Sequence, residues 1–230
     1  MSNTVELSTS IAAAVGAHGL ALRGGFHPAP GDGVPDVSAG VPAQTVLMIG
    51  NAGRAMWPHF EQGRRIEPNP LDRWVARVIE PIAAGHGARA VYPSDSPPLP
   101  FQRWAARGWP LHASPLGLLI DAEYGLWHAL RAALLFDRVL DVPSRAPTVS
   151  PCEGCAAKPC LTTCPVGAFT AAGFAYQDCR AYLAANAQSP CRAGTCQARA
   201  ACPVGAEHRY GDAQQRFHMQ AFSGLVPAPR

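Results

Sequence analysis

Lysine is nearly missing from this 230-residue chain: of 19 basic residues, Lys158 alone is not an arginine. Against 16 acidic residues the net charge is only +3, too small a basic excess to point to nucleic acid as a partner. Long hydrophobic runs are missing too. The best candidate, residues 116–136, is broken by Asp121, Glu123, His128 and Arg131, which excludes a membrane-spanning helix there. The opening MSNTVELSTSIAAAVGAHGL has neither the basic start nor the unbroken apolar stretch of a secretory signal, and no twin arginine precedes it. The expected compartment is therefore the cytoplasm, with no membrane partner. Familiar catalytic signatures are absent as well: there is no G-x-S-x-G, no H-E-x-x-H and no Walker motif, and GNAGRA (50–55) is not a dinucleotide fingerprint.

Cysteine is the most unevenly spread residue. The first 151 positions have none, and all eight lie between 152 and 202. A disulfide framework needs an oxidising compartment, for which no export signal speaks. Two structural zinc sites would usually show a pair-and-pair spacing, which these gaps do not follow. The third reading is iron–sulfur. The first run is Cys152-x2-Cys155-x4-Cys160-x3-Cys164-Pro165, and the second is Cys179-x11-Cys191-x4-Cys196-x5-Cys202-Pro203. Both close on the same pentapeptide, CPVGA, at 164–168 and 202–206.

The first run resembles the bacterial ferredoxin pattern C-x2-C-x2-C-x3-C-P, with two residues added between the second and third cysteines. The resemblance implies two 4Fe–4S clusters related by a pseudo-twofold axis, each run lending its last cysteine to the other. One cluster would then take Cys152, Cys155, Cys160 and Cys202. The other would take Cys179, Cys191, Cys196 and Cys164. Lys158 stands beside Cys160, where it either offsets cluster charge or is a solvated loop residue.

Before the cysteines, helices and strands alternate. VELSTSIAAAVGAHGLAL reads as a helix with Ser8 or Thr9 as its cap and Gly19 as its stop. TVLMIGN (45–51) reads as a buried strand, followed by a helix over residues 55–62. In NPLDRWVARVIEPIAAGHG (69–87), Leu71, Trp74, Val75, Val78, Ile79 and Ile82 fall on one helical face, and Pro81 predicts a kink. ARAVYPSD (88–95) reads as a strand, PFQRWAARG (100–108) as a short helix, LGLLI (116–120) as a strand and DAEYG (121–125) as a turn. WHALRAALLF (127–136) has helical composition but suits a strand if a hairpin crosses that turn. The Pro- and Ser-rich DVPSRAPTVSP (141–151) is the linker candidate, giving an expected division into residues 1–146 and 147–230. The expected class is α+β: a sheet domain followed by a dicluster ferredoxin-like domain.

The stretches TVLMIGNAGRAMWPHF, LDRWVARVIEPI, ARAVYPSD and GLLIDAEYGLWHALRAALLF resemble the CblC-type cobalamin-processing proteins, which share a nitroreductase-like fold. Within them Gly117, Gly125, Trp127 and Arg131 match residue types of that family. The likeness makes 127–136 a strand. Such a domain joined to a two-cluster module is also similar in arrangement to epoxyqueuosine reductase, an iron–sulfur and cobalamin enzyme acting on transfer RNA. These resemblances imply a corrinoid against Leu116, Gly117 and Leu118, with His112 and Ser114 above the ring. Trp127 would stack on it and Arg131 would meet an anionic group.

No Asp-x-His-x-x-Gly stretch occurs, so a histidine ligand below the cobalt is not expected. The Asp-Tyr-His stretch of the tRNA-modifying enzymes is also missing, and tRNA is not the expected partner. The implied function is passage of electrons from an external donor through the clusters to cobalamin, for its reduction or processing. A cobalamin-dependent substrate reductase, a plain ferredoxin-type carrier and a flavin-binding nitroreductase-like enzyme are the alternatives.

Overall fold

The computed structural model describes residues 2–170 and 172–224, with side chains from Glu6 onward. The chain divides into two compact units, Met1–Pro110 with His128–Pro147, and Leu111–Trp127 with Thr148–Arg230. The expected division at 146/147 took no account of the excursion at 111–127. Those residues belong with the cysteines because Leu116, Ile120 and Leu126 share a buried cluster with Cys160, Ala198 and Cys202. Among the described residues no helix is long and apolar enough to cross a membrane.

The first unit begins with α1 (Ser2–Gly16), β1 (Ala21–Phe26), β2 (Thr45–Ala52), α2 (Met56–Gly63), α3 (Pro70–Gly85), β3 (Arg89–Val91) and α4 (Phe101–Gly108). In the second unit the chain forms the short hairpin β4 (His112–Ala113) and β5 (Leu119–Ile120), then returns as β6 (His128–Phe136). The sheet has the order β1-β2-β6-β3, antiparallel throughout. Its centre is apolar: Val46, Leu47, Met48 and Ile49 of β2 and Ala132 to Phe136 of β6 are inaccessible to solvent. Such continuous burial accounts for the unbroken apolar run of β2, since a strand covered on both faces has no polar side to alternate. Helix α3 packs against β3 and β6, and α4 against β1 and β2. Of the expected α3 face, Leu71, Trp74, Val75 and Ile79 are buried, while Val78 and Ile82 are half-buried. The helix runs on through Pro81.

Three sequence expectations change. Ser8 and Thr9 lie inside α1, which starts earlier. The strand expected over 116–120 is only Leu119–Ile120, and it pairs with His112–Ala113 and not across the DAEYG turn. β1 had no counterpart in the sequence reading. The strand assignment of 128–136 over its helical composition agrees with the structure.

Residues 139–150, along which the chain leaves the first unit for the second after Pro147, carry no helix or strand. Beyond them come α5 (Pro159–Thr162), the hairpin β7 (Phe169–Thr170) and β8 (Gly173–Phe174), and then α6 (Tyr176–Ala185). α7 (Pro190–Ala193), α8 (Gln197–Ala200), a 3-10 turn at Ala206–His208 and α9 (Asp212–Ser223) complete it. The one-turn helices α5 and α7 open alike, with proline in the first turn and a cysteine directly after it. Proline suits that place because its missing N–H would have no helical partner there.

Candidate functional site

The site is built from the eight cysteines, all of them free thiols. Cys160 and Cys191 are carried in the same position of α5 and α7, while Cys196 directly precedes α8. Electrostatic neighbours sort the thiols into two sets. Cys152 feels Cys202 and Cys155, and Cys160 feels Cys202, Cys152 and Cys155. Cys179 feels Cys196, Cys164 and Cys191, and Cys196 feels Cys191 and Cys164. The last cysteine of each run is therefore grouped electrostatically with the other run. The first set lines a small open cavity, shared with Ile120, Lys158 and four prolines.

Burial is the main influence on these thiols. It pushes Cys152, Cys160, Cys191, Cys196 and Cys202 up, and Cys179 up to about 11. Backbone N–H groups work the other way, favouring thiolate. Those of Arg199 and Ala198 act on Cys196, that of Gln197 on Cys191 and that of Val204 on Cys202. Ala168 N–H donates to Cys164 Sγ at 3.3 Å. Amide donors aimed at sulfur are what a negatively charged iron–sulfur cluster needs around its ligands, and the thiolate-only donor set suits it. Among the described residues no three His, Cys, Asp or Glu side chains converge closely enough to hold a single metal ion.

The two CPVGA copies end in different surroundings. A Cβ on Gly167 would meet nothing within 4 Å. At Gly205 it would lie 2.4 Å from the Tyr124 carbonyl carbon, and a Cβ on Gly125 would come within 1.9 Å of the Val204 oxygen. Glycines at 125 and 205, both at positive φ, thus let the DAEYG turn lie directly on the second CPVGA. Asp121, only 1% exposed, holds that turn through Oδ1, which accepts from the N–H of Glu123 and Tyr124.

The residues expected at a corrinoid are placed as follows. Leu116 is buried in the cluster with Cys160 and Cys202, and Leu118 is exposed. Gly117 sits in a turn at φ +72°, its N–H donating to Ser114 O, with open space where a side chain would be. Ser114 Oγ is buried without a hydrogen-bond partner among the described residues, and His112 Nε2 lies 2.9 Å from Thr148 Oγ1. These five belong to the second unit, on one loop beside the first cysteine set. Trp127 is fully buried in the same unit, packed at 5.4 Å from Tyr210 with the guanidiniums of Arg199 and Arg209 over its ring. Its surroundings are those of a core residue. Arg131 lies in the first unit, where its Nε donates to Asn51 Oδ1 at 2.8 Å. The sequence reading passed over the amide donors of α8 and the shared opening Lys-Pro-Cys and Ser-Pro-Cys. The repeated Pro-Cys pair at 159–160 and 190–191 was the available signal.

The fold of this chain has known counterparts. Epoxyqueuosine reductase from Bacillus subtilis aligns over 90% of this chain and 67% of its own, with a TM-score of 0.54 and 14% identity. An epoxyqueuosine reductase solved with an epoxyqueuosine-modified tRNA-Tyr stem loop aligns over 91% and 68%, with a TM-score of 0.52 and 14% identity. The C. elegans B12-trafficking protein CblC aligns over 96% of this chain and 97% of its own, with a TM-score of 0.53 and 14% identity. At this identity the likeness is one of fold. No protein-family model and no curated protein matches the sequence.

Proposed function

We propose that this chain is an iron–sulfur redox protein that holds two 4Fe–4S clusters and delivers electrons from an external donor to a bound corrinoid, for the corrinoid's reduction or processing. The observation that carries it is the crossed sorting of thiols, Cys202 with Cys152, Cys155 and Cys160, and Cys164 with Cys179, Cys191 and Cys196. When bound, the clusters supply one-electron transfer and the corrinoid a reducible cobalt. The chain's own part is to hold and tune. Each set presents four thiols, and backbone amides at Cys164, Cys191, Cys196 and Cys202 favour the thiolate against the effect of burial. Gly117 leaves the surface beside exposed Leu118 open for a flat macrocycle. Trp127 and Arg131 act as supports, one inside the second unit and one on the sheet.

Support for the corrinoid comes from the fold shared with a B12-trafficking protein over nearly the full length of both chains. The fold shared with epoxyqueuosine reductase favours a second reading, a corrinoid-dependent reductase of a separate substrate. Anaerobic purification followed by metal and sulfide analysis tests the clusters: about eight irons and eight sulfides per chain are expected. Zinc in their place would overturn the proposal. Titration of the reduced protein with cobalamin should then change the corrinoid spectrum and leave corrinoid bound after desalting. Turnover of an epoxyqueuosine stem loop by the loaded protein would decide for the second reading.

A further inference from the structure

We propose that Lys158 is a potential-setting residue: its ammonium raises the reduction potential of the cluster held by Cys152, Cys155, Cys160 and Cys202, while the other set is tuned by neutral amides. This rests on the reading that the two sets hold clusters. Lys158 lines the cavity between those four cysteines. The backbone does not ask for lysine at this place. It stands at φ 37°, ψ 56°, the left-handed region that a glycine or asparagine occupies with less strain. In a chain with no other lysine, a glycine position is filled by a flexible cation.

The matching position of the second run argues the same way. Ser189 precedes Pro190 and Cys191 as Lys158 precedes Pro159 and Cys160, yet Ser189 is extended and its hydroxyl accepts from Arg192 N at 3.3 Å. One run therefore has a charge where the other has a helix cap. The arginines of the second unit that lie along that run are turned to carbonyls: Arg192 donates to Leu183 O, Arg180 to Ser223 O and Arg199 to Leu126 O. The second set takes a neutral donor from the backbone instead: Ala168 N–H donates to Cys164 Sγ at 3.3 Å. Lys158 is exposed, so its field is screened by salt, whereas an amide hydrogen bond is not. Ionic strength should consequently move one potential more than the other.

The test is potentiometric titration of the full chain, purified without air, with both clusters followed by electron paramagnetic resonance. Iron content comes first: wild-type protein without iron overturns the cluster reading itself and is told apart from failure of the lysine proposal. In K158Q and K158G one midpoint should fall, so that the reduced-to-oxidised ratio of that cluster at fixed potential drops several-fold. The other midpoint should stay. K158R should restore the wild-type value, and high salt should shrink the difference. K158G keeps the variant series informative, because glycine accepts the left-handed backbone. Unchanged midpoints in K158Q and K158G would overturn the proposal. So would K158R behaving like K158Q, K158G keeping the wild-type midpoint, or loss of iron from all three variants, since each makes Lys158 a structural residue.

Discussion

Two glycines of the 111–127 segment have opposite surroundings, and substitutions at them should have opposite consequences. Gly117 has no atom within 4 Å of the place a Cβ would take. Gly117→Leu should therefore cost only the left-handed strain of about 1–2 kcal/mol. It should leave iron content intact while cobalamin retention on desalting falls tenfold or more. Retention equal to wild type would move the corrinoid away from this loop. Gly125 is pressed against the Val204 carbonyl, so Gly125→Ala forces backbone apart. Its melting transition should fall by the equivalent of roughly 2–4 kcal/mol, strain and overpacking together. Thermal unfolding of the iron-loaded protein measures it. The family resemblance set Gly117 against a corrinoid, and the sequence placed it on a strand over 116–120, whereas it lies in a turn. The turn arises because Gly117 N–H reaches back to Ser114 O, a pairing that no periodicity signals.

The elements were legible where one local pattern was sufficient to define them. α3 carries its apolar face at helical spacing, and β2 is a continuous apolar run bounded by turns. β6 was the hard case. Its alanines and leucines suit a helix, and it is a strand because β2 and β3 pair with it on either side. β1 was passed over because Gly24 and Gly25 interrupt ALRGGF and the register shifts between Leu22 and Gly25. The cysteine sets were legible because spacing plus a repeated CPVGA sufficed. The amides serving them were not, since any residue supplies an N–H. Crossing between the runs is an element-level claim with its own test. Cys202→Ser should remove the same cluster signal as Cys160→Ser, and Cys164→Ser the same signal as Cys191→Ser, each leaving roughly half the iron. Parallel loss within each run would show uncrossed ligation.

For the molecule as a whole, the thiols tie stability to pH and to metal. Burial raises Cys152, Cys160, Cys191, Cys196 and Cys202 above the unfolded value of 9.0, and Cys179 to about 11. A thiol held higher in the fold contributes stability below the unfolded value and loses it as pH climbs toward the folded one. Iron-free protein should accordingly lose melting temperature between pH 9 and 11. Loaded protein should not lose it in that window, because coordinated cysteines no longer bind protons. Parallel melts of the chelated and loaded forms measure the difference, and identical curves would mean that these thiols bind no metal.

The detour of residues 111–127 has one more consequence, for how the molecule can be divided. The backbone passes from unit to unit three times, after Pro110, Trp127 and Pro147. Severing it anywhere in the proline-rich tether would strand Leu116, Ile120 and Leu126 on a fragment that lacks Cys160, Ala198 and Cys202. Neither lobe is a cassette that recombination could lift out by a single break, so the sheet unit and the cysteine unit must be inherited, expressed and engineered as one piece.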